Sequence, residues 1–382
     1  MKKKVIILGS TGSVGRQTLD VIQDEKEHFQ VVALTGGNNL KLLREQTERF
    51  SPLAVALANE KRAKELRKCL KGTVIYGGEE GITQLVKSLP ADLVVSCISG
   101  KAALIPTLEA IRSGKDVALA NKESMVIAGD ILMKEATKRG VNLIPVDSEQ
   151  SAIFQCLEGH KVEDVKMVYL TASGGPFWNW KGNFKDILPE QAIAHPRWKM
   201  GPKVSLDSAN LVNKALEVIE TSHFFNVEVE RIKILIHPQA LVHSLVEFVD
   251  GSILAQMGVT DMRLPIHYAL NYPRREGNSL PSLRLTEVGK ISFEPPDFQR
   301  FPALKLGYWA GKEGGTLPAV FNAANEVAGG AFLDNRITFP QITHLIEMVM
   351  KEHKVIPDPS LDEILKADRW ARQRTCKLME IF

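Results

Sequence analysis

The chain has 382 residues, which is too long for one ordinary domain and enough for two or three. Hydrophobic residues make up 44% of it and charged residues 24%, an average globular composition that excludes a disordered or collagen-like protein. The net charge is +3, from 48 basic and 45 acidic residues, so the composition does not indicate a surface that coats nucleic acid.

The apolar segments are all too short to cross a membrane, because none reaches about 18 residues. The lysines at the start of the chain precede an apolar run only over residues 5–8, so they do not indicate an export signal. Scattered cysteines favour a reducing compartment over a disulfide framework or a zinc site. We therefore expect a cytoplasmic protein with no membrane partner and no nucleic-acid partner.

The first part of the chain alternates short β-branched runs with charged helical stretches, which predicts a Rossmann-like, doubly wound parallel sheet of the α/β class. The predicted strands are residues 5–8, 31–34, 54–57, 74–76, 93–96, 117–120 and 143–146. Further strands at residues 165–172, 232–236, 245–249 and 252–257 predict a central α+β domain that carries the catalytic groups.

The remainder of the chain is predicted to be a linker and a small C-terminal helical domain. Pro281, Pro295 and Pro296 interrupt a segment of little periodicity, which indicates an extended linker. Helical spacing over residues 317–333, 342–353 and 361–381 predicts the helices of the last domain. The expected division is therefore 1–147, 148–280, 281–305 and 306–382.

A glycine-rich turn, G-S-T-G-S-V-G at residues 9–15, directly follows the first predicted strand and precedes a helical pattern. Such a turn brings the backbone amides of a helix N-terminus close to a pyrophosphate. The strand before it and the helix after it favour a dinucleotide site over a turn that serves packing alone.

The end of the second predicted strand decides between NADH and NADPH. NAD sites place an acidic residue there to bind the ribose 2′-hydroxyl, whereas this chain has T-G-G-N-N at residues 35–39. A site without that carboxylate does not repel a 2′-phosphate, so NADPH is favoured. Arg16, Lys41 and Arg44 are basic neighbours, although each could equally be a solvated helix residue.

Polar residues follow the last two predicted strands of the sheet, at the edge where open α/β sheets bind ligands. The sequence N-K-E-S stands at residues 121–124, and Asp147, Ser148 and Glu149 follow the next strand. Two carboxylates in one turn can bind a hard cation such as Mg²⁺ or Mn²⁺. A helix N-cap followed by a first-turn acid explains the same pair, so a third ligand is needed to decide.

A predicted helix over residues 207–220 offers such a ligand. Its polar side chains share one face, and apolar side chains occupy the other; the polar set is Asn210, Asn213, Lys214, Glu217 and Glu220. This face is either a ligand-contacting surface or a solvated one, and the pattern leaves both interpretations open.

Residues 171–203 have little periodicity, which is typical of a lid or binding loop. Trp178, Trp180 and Trp198 supply apolar cover, with ordinary aromatic packing as the alternative. Ser173 and the two glycines after it predict an anion cradle. His237 and His243 flank a short turn, where a buried structural histidine is commoner than a ligand.

These motifs, in this order, resemble the 1-deoxy-D-xylulose 5-phosphate reductoisomerase family of the non-mevalonate isoprenoid pathway. The resemblance spans the chain through GSTGSVGRQTLDV, ALANKES, PVDSEQSAIFQCL, TASGGPF, HPRWKMGPKVSLDSANLVNKALEVIE, HPQALVHSLVEF, DMRLPIHYAL and LPAVFNAANEVA. It implies an NADPH- and metal-dependent oxidoreductase and isomerase that acts on a small phosphorylated sugar, and it also implies a homodimer. The family chemistry is drawn as retro-aldol cleavage, aldol recombination and hydride reduction, giving 2-C-methyl-D-erythritol 4-phosphate.

The resemblance also implies which residues bind the cofactor and the metal. The NADPH contacts would be Thr11, Gly12, Ser13, Val14, Gly36, Gly37, Asn38, Asn121, Glu123, Gly201 and Met262. A divalent cation, Mn²⁺, Mg²⁺ or Co²⁺, would be bound by Asp147, Glu149 and Glu217. Some members of the family carry a lysine where this chain has Gly37, so a cation for the 2′-phosphate would have to come from elsewhere.

Substrate-binding residues are implied in the same way. They are Lys122, Ser148, Glu149, Ser173, His195, Trp198, Ser208, Asn213, Lys214 and Glu217. Trp198 would close over the substrate, and His243 would lie nearby. Lys122 and Glu149 are the candidates for catalytic proton transfer, because a cation can lower the pKa of a neighbouring lysine toward neutrality.

Three other functional classes leave traces in the sequence. Tyr308 and Lys312 have the Y-x-x-x-K spacing of short-chain dehydrogenases, but they lie in another predicted domain than the glycine turn. Cys97 and Cys156 could be nucleophiles of an aldehyde-forming dehydrogenase, although neither has an obvious base. A non-catalytic NADP sensor would need neither the metal ligands nor the lid.

Overall fold

A computed structural model describes residues 1–195 and 201–380 of the chain. Trp198, the predicted lid residue, lies outside the described residues. The chain divides into two compact units, one of residues 1–124, 130–151 and 261–281, the other of residues 125–129, 152–260 and 282–382. Among the described residues, no helix is both long and apolar enough to span a membrane.

The strands and helices follow the chain in this order. The strands are β1 (Lys3–Leu8), β2 (Phe29–Gly36), β3 (Ala54–Leu57), β4 (Val74–Gly77), β5 (Leu93–Ser96), β6 (Asp116–Leu119), β7 (Leu143–Pro145), β8 (Val165–Ala172), β9 (Ile232–Ile236), β10 (Val242–Phe248) and β11 (Ile253–Met257). The helices are α1 (Ser13–Asp24), α2 (Leu40–Phe50), α3 (Glu60–Cys69), α4 (Gly78–Ser88), α5 (Leu104–Arg112), α6 (Lys122–Arg139), α7 (Ser148–Cys156), α8 (Pro189–Ala192), α9 (Pro202–Ala209), α10 (Val212–Phe225), α11 (Arg263–Asn271), α12 (Leu285–Val288), α13 (Ala303–Glu313), α14 (Leu317–Leu333), α15 (Phe339–Glu352) and α16 (Leu361–Met379).

A parallel sheet of seven strands, in the order β4-β3-β2-β1-β5-β6-β7, forms the core of the first unit. Most of its central strand residues are buried, as expected for a parallel sheet covered on both faces. The strand order reverses at β1, which has β2 on one side and β5 on the other. Sheets of this type bind ligands at the carboxyl ends of the strands beside such a reversal. The predicted doubly wound sheet is confirmed.

Helix α11 returns to the first unit and packs on α1 through polar contacts. The Nε2 atom of His267 lies 2.7 Å from a carboxylate oxygen of Glu25, and the Asn271 side chain donates to the same carboxylate at 3.1 Å. The Lys3 ammonium donates to the carbonyl of Leu270 at 2.9 Å. These contacts fix the position of Met262, which immediately precedes α11.

The second unit contains a mixed sheet of four strands in the order β11-β10-β8-β9. β10 runs antiparallel to β8 and β11, and β8 runs parallel to β9. The predicted α+β character and C-terminal helices are confirmed, although β10 begins at Val242 rather than at residue 245. The domain boundaries after residues 147, 280 and 305 stay a prediction.

The continuous helix predicted over residues 207–220 is wrong, because the structure has α9 and α10 with a break between them. Leu211 has a left-handed φ of 59°, which no α-helix accommodates. The side-chain oxygen of Asn210 accepts a hydrogen bond from the amide of Val212 at 2.9 Å and so starts α10. Asparagine forms such local bonds in competition with helical ones, so it favours a break.

Candidate active site

The glycine turn after β1 is packed so closely that two of its glycines have no room for a side chain. A Cβ at Gly15 would stand 2.3 Å from the carbonyl oxygen of Gly9, and a Cβ at Gly9 would stand 2.8 Å from that of Cys97. Within the described residues, Gly12 caps α1 without any side-chain hydrogen bond. The first amides of α1 are therefore available to an anion, and the turn fits a pyrophosphate.

The end of β2 is open where a 2′-phosphate is predicted. A Cβ at Gly37 would meet no described atom within 4 Å, whereas one at Gly36 would meet the Thr11 side chain at 3.2 Å. The Asn59 amide donates to the side-chain oxygen of Asn38 at 2.9 Å. These contacts hold the predicted cofactor segment without filling the space beside Gly37.

The basic neighbours of this segment are not equivalent. The Arg44 guanidinium pairs with Glu48 at 2.8 Å along the exposed face of α2, as in a solvated helix. Lys41 lies in the first turn of the same helix and Arg16 in α1, and both are exposed. Lys41 and Arg16 are therefore better candidates than Arg44 for contact with a phosphate.

Asn121 connects two loops at the carboxyl ends of β5 and β6. Its amide donates to the carbonyls of Ile98 (2.8 Å) and Gly100 (3.1 Å) and to the carboxylate of Glu123 (2.7 Å). Its oxygen accepts from the amide of Ser124 at 2.8 Å and so caps α6. Asn121 and Glu123 are 3% and 6% exposed, so they shape this edge of the sheet, and direct contact with the cofactor stays a prediction.

The ends of β6 and β7 bring Lys122 and the first acidic residue together. The Lys122 ammonium contacts the carboxylate of Asp147 in an ion pair. The Ser148 hydroxyl donates to Glu149 at 2.6 Å, and the Asp147 carbonyl accepts from the amide of Ser151 at 2.8 Å. The main chain of Asp147 thus starts α7, while its side chain is directed at the lysine.

The polar face of α10 is buried, which excludes its interpretation as a solvated surface. Lys214 and Glu217 are 3% and 0% exposed and form an ion pair of 2.5 Å. Asn213 donates to the other oxygen of Glu217 at 2.5 Å, and the Lys214 ammonium also donates to the carbonyl of Thr171 at 2.5 Å. Burying charged side chains costs free energy even when they are paired, so the polar residues of α10 serve a purpose other than solubility.

The predicted anion cradle lies directly after β8. The Ser173 hydroxyl is 3.1 Å from Nε2 of His195, and it accepts from the amide of Gly175 at 3.4 Å. Gly175 has a φ of +67°, and a Cβ there would stand 2.7 Å from the carbonyl oxygen of Ser208. The structure therefore brings the side chains of Ser173 and His195 together and places the main chain of Ser208 against Gly175. Burial lowers the pKa of His195 to about 4, so its ring is neutral at pH 7.

Acidic residues suited to a metal ion also occur among the residues that the structure describes. Asp147 and Glu149 belong to the first unit and Glu217 to the second. Their hard carboxylate oxygens are the ligands that Mg²⁺ and Mn²⁺ prefer. By contrast, His237 has a structural role, since its Nε2 accepts from the amides of Leu241 and Val242.

The residues that could have indicated another class of dehydrogenase have structural contacts or a suppressed reactivity. The Tyr308 hydroxyl donates to the carbonyl of Ile232 at 2.8 Å, and burial raises the pKa of this phenol. Lys312 pairs with Glu230 at 2.9 Å. Burial raises the pKa of the Cys97 thiol to about 12, which suppresses the thiolate that a nucleophile requires.

Arg300 is a candidate functional residue that was not expected from the sequence. Its guanidinium donates to main-chain carbonyls of the segment that follows Ser173. It lies in the predicted linker, where periodicity carries no information. The one sequence feature that could have indicated its role is its position between aromatic residues in F-Q-R-F, residues 298–301.

Comparison with known proteins identifies the family. The family model of 1-deoxy-D-xylulose 5-phosphate reductoisomerase matches residues 5–129. The model of the 1-deoxy-D-xylulose 5-phosphate reductoisomerase C-terminal domain matches residues 143–225, and the model of the DXP reductoisomerase C-terminal domain matches residues 257–374. The 1-deoxy-D-xylulose 5-phosphate reductoisomerase of Geotalea uraniireducens is 48% identical over 382 residues, covering 99% of both chains. That of Prosthecochloris aestuarii is 46% identical, covering 98% of this chain and 99% of the relative.

Solved structures agree with these relatives. The reductoisomerase of Zymomonas mobilis in complex with NADPH is 40% identical and superimposes with a TM-score of 0.93, with 100% of both chains covered. A DOX-P reductoisomerase in complex with NADPH, fosmidomycin and magnesium is 34% identical, with a TM-score of 0.92 over 99% of this chain and 98% of that one. The chain therefore belongs to the 1-deoxy-D-xylulose 5-phosphate reductoisomerase family.

Proposed function

We propose that this chain converts 1-deoxy-D-xylulose 5-phosphate to 2-C-methyl-D-erythritol 4-phosphate, with NADPH and a divalent cation. The observation that carries the proposal is similarity over the full length, at 48% identity, to a reductoisomerase of that name. The solved structures add that related enzymes bind NADPH, magnesium and fosmidomycin. The glycine turn and the acidic residues of this chain fit those groups.

Asp147, Glu149 and Glu217 are the proposed metal ligands, for Mg²⁺, Mn²⁺ or Co²⁺. When bound, the metal supplies Lewis-acid polarisation of the substrate oxygens and neutralises developing negative charge. The contacts made by two of these carboxylates support the assignment. Lys122 is directed at Asp147, and Asn213 and Lys214 hold both oxygens of Glu217. Residues that orient ligand carboxylates in this way tune a metal site.

NADPH supplies the hydride, and the proposed residues for its binding are those of the glycine turn, the end of β2 and the segments around α6, α9 and α11. They are Thr11, Gly12, Ser13, Val14, Gly36, Gly37, Asn38, Asn121, Glu123, Gly201 and Met262. The uncapped start of α1 at the strand-order reversal supports the pyrophosphate position. Gly201 caps α9, and a Cβ there would meet no described atom within 4 Å.

Lys122 and Glu149 are the proposed residues for catalytic proton transfer. Each side chain already shares a proton with a neighbour, since the Lys122 ammonium contacts the Asp147 carboxylate and Glu149 accepts a hydrogen bond from the Ser148 hydroxyl. Ser148, Ser173, His195, Ser208, Asn213 and Lys214 would bind the substrate, mostly at its phosphate. A neutral His195 can form its hydrogen bond with Ser173 without placing a positive charge beside the hydroxyl. Trp198 stays the predicted lid.

A homodimer is proposed through the free edge of the second sheet. Among the described residues, no further strand pairs with the outer side of β11. Ile253 and Leu254 on this strand are 51% and 41% exposed, and the nearby Val249 is 65% exposed. An exposed apolar edge strand is a template for pairing, and a second copy of the chain is the partner that covers it.

The cytoplasm is the proposed compartment. Cys69, Cys97, Cys156 and Cys376 are thiols in the structure. Thiols of this kind fit a reducing environment, and the cytoplasm is the compartment that keeps them reduced.

Product identification tests the proposed reaction. We expect ¹³C-labelled 1-deoxy-D-xylulose 5-phosphate, incubated with the protein, NADPH and Mg²⁺, to give the NMR spectrum of the branched polyol phosphate. A linear reduced sugar phosphate would show reduction without rearrangement and would contradict the proposal. A Glu217→Gln variant that binds NADPH normally is the control for contaminating enzymes.

A further inference from the structure

Arg300 binds the main chain of the aromatic segment that follows Ser173. Its guanidinium donates to the carbonyl oxygens of Trp178 at 2.9 Å, Trp180 at 2.8 Å and Phe177 at 3.3 Å. The same group lies over the ring of Phe184, 5.4 Å from its centroid. A planar guanidinium engaged by three carbonyls and a ring orders the backbone that it binds.

The segment that carries Arg300 is itself anchored to the second sheet. Glu294 and Ile236 exchange two main-chain hydrogen bonds, of 2.8 and 2.9 Å, at the end of β9. The side chain of Asp297 then accepts from the amide of Arg300 at 3.0 Å. The main chain that carries Arg300 is therefore held in place by hydrogen bonds, although it lies in the segment predicted to be an extended linker.

Contacts between side chains connect Arg300 with the turn at Ser173. Trp178 stacks on Phe301, with ring centroids 6.2 Å apart and an angle of 20° between the planes. Trp178 also packs on Gly174, where a Cβ would stand 2.9 Å from the Cβ and Cγ atoms of the tryptophan and where φ is +87°. A shift of the Trp178 backbone would therefore move the glycine turn.

We infer that Arg300 is a positioning residue that holds the turn of Ser173, Gly174 and Gly175 in the shape that binds a phosphate group. This role rests on the proposed function, in which Ser173 and Ser208 contact the substrate phosphate. Arg300 itself makes no contact with the substrate in this account. It acts through Trp178 and the glycine turn, whose tight approach to Ser208 leaves little tolerance for displacement.

Direct binding of inorganic phosphate and of 1-deoxy-D-xylulose 5-phosphate tests the inference without requiring turnover. We expect Arg300→Met to weaken both about tenfold and to raise KM more than it lowers kcat, because a misplaced binding group costs affinity first. The Kd for NADPH should not change. Arg300→Lys should be intermediate, since an ammonium can donate to some of the same carbonyls.

Arg372→Met is the matched control, because Arg372 is also partly buried and lies in the second unit. It pairs with Asp368 at 3.1 Å and with Glu326 at 2.5 Å, away from the aromatic segment. This variant should unfold at a lower temperature and yet bind phosphate normally. An equal loss of phosphate affinity in both methionine variants would show a general effect on stability and would overturn the inference.

The remaining outcomes separate the inference from the proposed function. If Arg300→Met does not fold, the same comparison with Arg300→Lys decides. Unchanged phosphate affinity in a folded Arg300 variant overturns the inference, even if the wild-type protein turns over the substrate. Loss of phosphate affinity in the variant, with a wild-type protein that does not turn over 1-deoxy-D-xylulose 5-phosphate, supports the inference and contradicts the reaction. A wild-type protein that binds neither phosphate compound overturns both.

Discussion

Gly37 lies just after β2, where the family resemblance implies a lysine in some members and this chain has none. The space beside it is open, since no described atom would lie within 4 Å of a Cβ there. We expect Gly37→Lys to tighten NADPH binding about tenfold and to leave NADH binding unchanged, because the ammonium can pair with the 2′-phosphate. Quenching of protein fluorescence by each nucleotide, in metal-free protein, measures the two Kd values.

Lys41 provides the opposite change for the same measurement. We expect Lys41→Met to weaken NADPH binding severalfold and to leave NADH binding unchanged, because it removes an exposed charge from the first turn of α2. Equal effects of either substitution on both nucleotides would show that the 2′-phosphate does not lie at this end of β2.

His195 should make the folded state sensitive to pH on the acidic side of neutrality. Burial lowers its pKa to about 4, whereas an unfolded histidine titrates near 6.5. Between these values the unfolded chain binds a proton that the folded chain does not, so stability falls as the pH falls. His195→Gln should therefore reduce the difference in Tm between pH 7 and pH 5. An unchanged difference would contradict a neutral, buried imidazole.

At the scale of elements, α10 depends on close packing against α13. A Cβ at Gly307 would stand 2.6 Å from the Cβ of Ala215, so Gly307→Ala should lower the free energy of unfolding by about 1–3 kcal/mol. Turnover should fall as well, because α10 carries Lys214 and Glu217. Urea unfolding and steady-state kinetics measure the two effects.

The matched control for this substitution is Gly330→Ala in the last turn of α14. No described atom outside its own helix would lie within 4 Å of a Cβ at Gly330, so alanine should raise the free energy of unfolding by about 0.5–1 kcal/mol. If both glycines respond alike, helix propensity and not close packing determines the effect at Gly307.

Elements with strong periodicity were predictable from the sequence, and those that depend on tertiary contacts were not. β3, β8 and α14 have the predicted bounds, because β-branched runs and apolar helical spacing determine them locally. The break between α9 and α10 depends on the Asn210 side chain and on a left-handed Leu211. Periodicity identified a polar face on α10 but could not show that Lys214 and Glu217 are buried.

The site was predictable to a similar degree. Lys122 and Asp147 were each predicted to follow a strand at the ligand-binding edge of the sheet, and the structure pairs their side chains. Arg300 could not be predicted, because its role comes from carbonyl groups that every sequence contains. Sequence patterns identify side chains with chemistry, whereas the residues that hold a main chain in place become visible only in three dimensions.

For the whole molecule, the proposed assembly uses the exposed edge of the second sheet. We expect the double variant Ile253→Lys, Leu254→Lys to elute as a monomer, because charges on an edge strand oppose pairing with a second copy. Leu53→Lys, which replaces a leucine that is 53% exposed in the first unit, is the control and should remain a dimer. Light scattering coupled to gel filtration gives both masses, and a double variant with the mass of two chains would contradict the proposed interface.

The oxidation of NADPH in the presence of 1-deoxy-D-xylulose 5-phosphate tests the central claim most directly. We predict a fall in absorbance that requires Mg²⁺, Mn²⁺ or Co²⁺, stops with EDTA, is slower with NADH, and is reduced about a hundredfold or more by Glu217→Gln. Folded protein that binds NADPH and yet does not oxidise it with this substrate and metal would contradict the proposed reaction.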